Sequence, residues 1–340
     1  MGATVAVRVF VTGGTGLVGR HVIAALRRRG DAVRALARSE PAAAGLARLG
    51  AETVAGDLAD AARLERQIDG CDAVVHAAAI VLAGGRWPAW YEANVLGTER
   101  VARAAARRRA RLVHLSSVAV YGRDVSGPER PGYDESFDLE RAPTSDEPYA
   151  RSKREAELVV WRVAAETGLA AVALRPCVIY GEGDRHFSPR VARMLRRGIV
   201  PLVGGGHNTM TVVYAGNVAA AVVAALDRPA VTGPFNVTND GTLTLREFVG
   251  HFAAGLGVAP RWLPIPRGLA WSAARALDVA LGALPLTGVG LSLSTAVQFL
   301  AGSNRFSSAR AEQVLGWRPP VPAAEAAERT GTSFRASSRS

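Results

Sequence analysis

The stretch "VAVRVFVTGGTGLVGR" (residues 5–20) constrains the fold more than any other part of the chain. Residues 5–11 form a short apolar run rich in valine, as a buried strand does. Gly13, Gly16 and Gly19 follow at three-residue intervals, and a helical pattern begins at Leu17. Strand, glycine turn and helix in that order let backbone N–H groups approach a pyrophosphate at the helix N-terminus. Thr12, Gly13, Gly16, Leu17, Val18 and Gly19 are the residues expected to bind it. The competing reading is a glycine turn that serves close packing only.

The same alternation continues. Further strand signals occur at 32–37, 73–76, 111–116 and 171–176, with helical patterns at 17–29, 60–68 and 90–108 and another from Tyr149. Strands alternating with helices predict an α/β fold with a doubly wound parallel sheet. Residues 1–180 are expected to form a dinucleotide-binding domain, completed by a short strand at 234–237. Residues 181–330 are expected to form mainly a smaller, mostly helical substrate-binding lobe. The polar run 122–148 reads as a long surface loop, and 331–340 as a disordered tail.

A net charge of +11 raises the question of an anionic partner. The arginines are scattered, and the clusters at 27–29 and 107–109 fall at helix ends, where cations complement the helix dipole. No nucleic-acid-binding motif accompanies them, so no nucleic-acid partner is expected. Cys71 and Cys177 make no disulfide framework, and a cytoplasmic, reduced protein is expected. The uncharged stretch 279–304 is long enough to cross a bilayer, but Pro285 and several glycines interrupt it. A buried helix and loop, without stable membrane insertion, is the expectation.

The second strand ends in "RALARS" with no acid to accept from a ribose 2′-OH. Arg38, with Arg34 as helper, is placed to bind a 2′-phosphate, which favours NADP while leaving NAD open. The alternative leaves Arg38 on the adenine face or in solvent. Asp57, beside Leu58, suits either the adenine amino group or a helix N-cap. Ala77 and Ala78, after His76, are small enough to let backbone reach the cofactor. His76 itself reads as a core histidine. Asn94 is either an exposed helix residue or part of the active site. Ser117 follows the fifth strand, and Tyr149 and Lys153 stand at i and i+4, on one helix face. A phenol ionises near pH ~10, and a neighbouring ammonium lowers that value. Ser117, Tyr149 and Lys153 together provide proton transfer to a carbonyl oxygen. Lys153 is the only lysine beside forty arginines. Either a compact ammonium is required there or composition left it by chance.

"TGGTGLVG", "HAAA", Asn94 in "NVLGT", "LSSVAVYG" and Y-x-x-x-K together resemble the extended short-chain dehydrogenase/reductases, across about residues 5–322. The resemblance implies a Rossmann fold and a Ser117–Tyr149–Lys153 triad with Asn94 nearby. It also implies a bond from Lys153 to the nicotinamide ribose, a cofactor contact from Pro176, a small-molecule substrate and a homodimer as an option. Val118 and Ala119 stand where sugar-nucleotide dehydratases carry Asp and Glu, which argues against dehydration. The late segments look more like the 3β-hydroxysteroid dehydrogenase and dihydroflavonol reductase branch, which implies a hydrophobic ketone or secondary alcohol. The rival readings are a nucleotide-sugar epimerase or 4-ketoreductase, and a non-catalytic cofactor-binding sensor.

Overall fold

The computed structural model describes residues 6–81, 86–122, 133–140, 147–238, 240–282, 297 and 302–336. Its strands are β1 (Arg8–Thr12), β2 (Ala32–Ala37), β3 (Glu52–Ala55), β4 (Ala73–His76), β5 (Arg111–Leu115), β6 (Ala171–Pro176), β7 (Val178–Tyr180), β8 (Ile199–Val203), β9 (Val212–Tyr214), β10 (Gly233–Val237) and β11 (Arg261–Ile265). Its α-helices are α1 (Leu17–Arg29), α2 (Glu40–Ala47), α3 (Ala61–Ile68), α4 (Trp87–Trp90), α5 (Gly97–Arg107), α6 (Pro148–Thr167), α7 (Ser188–Arg196), α8 (Ala215–Leu226), α9 (Leu245–Leu256), α10 (Arg267–Gly282) and α11 (Ala323–Ala336).

Seven strands form one sheet in the order β10-β6-β5-β4-β1-β2-β3. Every neighbouring pair is parallel. Alternation along β1 explains the two layers of helix. Val9 and Val11 point to one face, against Val22, Ile23 and Leu26 of α1 and Val218 and Val222 of α8. Phe10 points to the other, against Leu64 of α3, Val101 of α5 and Val160 and Val163 of α6. The strand order reverses between β1 and β4. Their carboxyl ends therefore flank a crevice, which is where such sheets bind ligands.

Helix ends follow local chemistry. α1 carries Arg27, Arg28 and Arg29 in its last turn and stops at Gly30, in the left-handed region at φ 93°. The single helix expected over 90–108 is instead α4, a π-turn at Tyr91–Leu96, and α5.

The second lobe has two parallel strand pairs, β8 with β11 and β7 with β9. Tyr180, Leu195, Phe248, Phe252 and Ala327 share its core. The expectation of a disordered tail from 331 needs correction. α11 continues to Ala336, with Thr330 buried on its inner face. Gly331 lies so near the backbone of α9 that a Cβ there would stand 2.2 Å from the Phe252 carbonyl oxygen. Ala326, Ala327 and Thr330 form a small-residue stripe that lets the two helices meet. Residues 123–132 and 141–146 of the expected loop, and most of 283–301, lie outside the described residues, as do 337–340. Among the described residues no helix is long and apolar enough to cross a membrane.

Candidate active site at the carboxyl ends of the strands

The glycine turn separates into packing and opening roles. A Cβ on Gly13, at φ 71°, would lie 2.5 Å from the carbonyl carbon of Ala77 and the nitrogen of Ala78. One on Gly19 would lie 2.2 Å from the Gly13 carbonyl oxygen. Packing against the exit of β4 therefore requires Gly13, and the close approach of α1 to the turn itself requires Gly19. Gly16 differs, because the only atom near its Cβ position is the Gly13 oxygen at 3.2 Å. It is the N-cap of α1 and no side chain caps that end. Among the described residues no side chain accepts from the first-turn amides, an arrangement that suits an anionic pyrophosphate. Packing alone thus accounts for Gly13 and Gly19 but not for the open N-terminus at Gly16. Gly19→Ala is expected to lower the melting temperature by several degrees or prevent folding. Gly16→Ala is expected to keep the fold and weaken dinucleotide binding. Melting curves beside a cofactor titration check both, and equal stability loss in the two variants would contradict the division.

The adenosine side is only partly as expected. Arg38 is exposed just beyond β2. Arg34 is not available as its helper. Its Nε donates to Glu52 Oε1 at 2.9 Å, and its Nη1 donates to the carbonyls of Gln67 and Asp69. Asp57 is exposed and accepts from the Ala59 amide at 2.8 Å, forming a local turn. It is not the helix cap, since Asp60 accepts from Arg63 at the start of α3. Leu58 packs against Gly97.

A directional hydrogen-bond chain crosses the crevice floor. The buried Thr98 hydroxyl donates to the Asn94 carbonyl at 2.6 Å, so it can only accept from His76 Nε2, 2.9 Å away. His76 Nδ1 then accepts from Thr12 Oγ1 at 2.7 Å. Burial drives the His76 pKa down to about 3, with the Lys153 charge adding to the effect. The ring is neutral and structural. His114 stacks on it, 5.4 Å away.

Asn94 is 2% exposed, which overturns the reading of it as a surface residue. Its position in the π-turn aims the side chain inward, a common use of such turns. Oδ1 accepts from the Ile80 amide at 2.8 Å, and Nδ2 donates to Ser152 Oγ at 2.9 Å. Ser152 in turn donates to the Tyr149 carbonyl at 2.9 Å. Asn94 thereby ties the exit of β4 to the first turn of α6. Glu147 caps that helix by accepting from the Tyr149 and Ala150 amides, with Pro148 in its first turn.

The Ser117 hydroxyl lies near enough to the Tyr149 phenol to act on its pKa. Ser117 Oγ also accepts from the Ala119 amide at 3.1 Å, which fixes its rotamer. Burial raises the Tyr149 pKa above the usual phenol value, partly offset by the Ser117 hydrogen bond. Lys153 does not supply the lowering expected for it. Its Nζ donates to the Leu115 carbonyl at 2.6 Å. Burial brings its own pKa down to about 8, opposed by the charge of Glu157. Tyr149 is consequently protonated at neutral pH, which suits a proton donor. Pro176 closes β6 beside these residues, paired with Val237 of β10. Two features escaped sequence reasoning, the edge-on packing of Trp90 against Tyr149 and the Glu157–Arg175 ion pair.

The sequence profile of the NAD dependent epimerase/dehydratase family matches residues 9–239. The chain is 32% identical over 311 residues, 91% of each protein, to a 4-hydroxy-2-methyl-3-oxo-4-farnesyl-3,4-dihydroquinoline-1-oxide ketoreductase of Stigmatella aurantiaca. It is 35% identical over 260 residues to a 2-alkyl-3-oxoalkanoate reductase of Stenotrophomonas maltophilia, covering 75% of this chain and 77% of the relative. The solved UDP-glucose 4-epimerase of Thermus thermophilus, in complex with NAD, matches with a TM-score of 0.70 at 26% identity, over 96% of this chain and 99% of that one. With the seven-stranded sheet and the open helix end at the glycine turn, these likenesses make the chain an oxidoreductase of the NAD-dependent epimerase/dehydratase family, within the extended short-chain dehydrogenases/reductases.

Proposed function

We propose that the enzyme reduces a relatively hydrophobic ketone, or oxidises the matching secondary alcohol, with NADPH preferred over NADH. The observation that carries this reading is the convergence of Tyr149 and Lys153, on one face of α6, with Ser117 at the exit of β5, where Lys153 Nζ reaches the Leu115 carbonyl two residues before Ser117. A bound nicotinamide supplies the hydride. Ser117 donates a hydrogen bond to the substrate oxygen, and Tyr149 passes its phenolic proton to that oxygen as the carbon is reduced. Lys153, one helical turn along from Tyr149, would hold the nicotinamide ribose with its ammonium. The lobe beyond residue 181 supplies the substrate walls. Support for a ketone comes from the two relatives, whose names are those of a ketoreductase and a 3-oxoalkanoate reductase. Val118 and Ala119, where a dehydratase carries acids, point the same way.

A panel of 2-alkyl-3-oxoalkanoates and cyclic ketones with NADPH and NADH, followed by absorbance, tests the reading. Turnover of a nucleotide sugar without added cofactor, by protein that purifies with nicotinamide bound, would replace it with an epimerase. Arg38 is the proposed partner of the 2′-phosphate. Charge-assisted hydrogen bonds of that kind contribute about 1.5–3 kcal/mol. Arg38→Asp is therefore expected to shift the NADPH/NADH ratio of kcat/KM at least about tenfold toward NADH. An unmoved ratio would remove Arg38 from cofactor selection.

A further inference from the structure

Glu157 stands one turn beyond Lys153 and two beyond Tyr149, so the three side chains share one face of α6. Glu157 is completely buried, and Arg175 on β6 is 2% exposed. An ion pair at this depth persists only when its hydrogen bonds are complete. Here they are. Arg175 Nε donates to both carboxylate oxygens at 3.1 Å, and Nη2 donates to Oε1 at 2.5 Å. Ser116 Oγ donates to Oε2 at 2.5 Å, and Trp161 Nε1 to Oε1 at 3.2 Å. Arg175 Nη1 donates to the Tyr121 hydroxyl at 2.8 Å, which donates to Asn236 Oδ1 at 2.8 Å.

The placement of these bonds is the significant point. Ser116 immediately precedes Ser117, and Tyr121 ends the 3₁₀ turn Val118–Tyr121 that follows it. The ion pair therefore grips the chain on both sides of Ser117, while its acid grows from the helix that carries Tyr149. A purely structural function does not require ions, because apolar residues of similar volume stabilise a buried site as well or better. We propose that Glu157 and Arg175 are positioning residues that hold Ser117 in register with Tyr149.

This inference rests on the Ser117–Tyr149–Lys153 reading of the site. Glu157 also acts on Lys153 as the carboxylate that opposes its desolvation. The other titratable groups facing Lys153 are His76 on β4 and His114 on β5, both kept neutral by burial.

The experiment compares Ser116→Ala, Glu157→Gln and Tyr149→Phe in reduction of a 2-alkyl-3-oxoalkanoate across pH, with melting curves and cofactor titrations. Ser116→Ala removes one hydroxyl and should fold. Its kcat is expected to fall about tenfold with KM and cofactor affinity unchanged, since small misplacements of reacting groups have effects of that size. Glu157→Gln is expected to lose more, and to move the alkaline limb of its pH profile to lower pH as Lys153 gives up its proton more readily. If Glu157→Gln does not fold, Ser116→Ala decides alone. Wild-type kcat and pH profile in Ser116→Ala, with Tyr149→Phe inactive, would overturn the inference and leave the site reading intact. An active Tyr149→Phe would overturn both.

Discussion

Tyr149→Phe is expected to lower kcat by at least about a hundredfold while the protein melts as before and binds cofactor with unchanged affinity. The phenol is the proposed proton donor, and general acid steps contribute typically 10²–10⁴-fold. Phenylalanine keeps the ring that packs edge-on against Trp90, 6.3 Å between centroids, so the packing survives. The backbone contacts of residue 149 also survive, because Glu147 and Ser152 bond its amide and carbonyl. Only the phenolic hydroxyl is lost. The raised pKa gives the direction of the pH effect. The wild-type donor stays protonated through the neutral range and is lost only well into the alkaline range. Steady-state kinetics at pH 7, with a melting curve, check the expectation. Retention of more than about a tenth of wild-type kcat would exclude Tyr149 as the acid, because even a weak general acid contributes more.

What the sequence displays and what it conceals follow from burial. The central strands at Ala32–Ala37, Ala73–His76 and Ala171–Pro176 coincide with the apolar runs that predict them. A strand covered on both faces is mostly apolar, and the arginines that interrupt two of these runs, Arg34 and Arg175, are paired with Glu52 and Glu157. α2 leaves no comparable mark, since "EPAAAGLA" buries only Leu46 and alanine fits any face. Ser117, Tyr149 and Lys153 are legible because two of them share a helix face and the third follows a strand. Their hydrogen bonds are not. Arg34 reads as available in the sequence, but the fold brings Glu52 and two carbonyls from other parts of the chain to it. Lys153 pairs with a backbone carbonyl, which carries no residue-specific signal. Glu157 continues the i, i+4 series from Tyr149, and that periodicity is the available clue to its position. Arg175, its partner on β6, can be assigned only in space.

Lys153 produces the second large effect. Its side chain is 5% exposed, and its Nζ reaches the Leu115 carbonyl at 2.6 Å. A guanidinium is larger and planar and cannot place one donor at that point without displacing its neighbours. Lys153→Arg is therefore expected to lower kcat/KM by at least about a hundredfold, weaken cofactor binding and lower the melting temperature as well. Lys153→Met separates charge from packing, because it fills similar space without the ammonium. Folding depresses the lysine pKa from its usual 10.5 to about 8, so the buried charge opposes folding. That penalty is fully present below pH 8 and is relieved as pH rises from 8 toward 10.5. At about 1.4 kcal/mol per pKa unit it is roughly 3 kcal/mol. Lys153→Met is thus expected to melt no lower than wild type at pH 7, yet to lose activity as severely as Lys153→Arg. Stability kept and activity lost would show that the chain bears an unfavourable buried ammonium for its chemistry. Near-wild-type kinetics in either variant would make the single lysine among forty arginines an accident of composition.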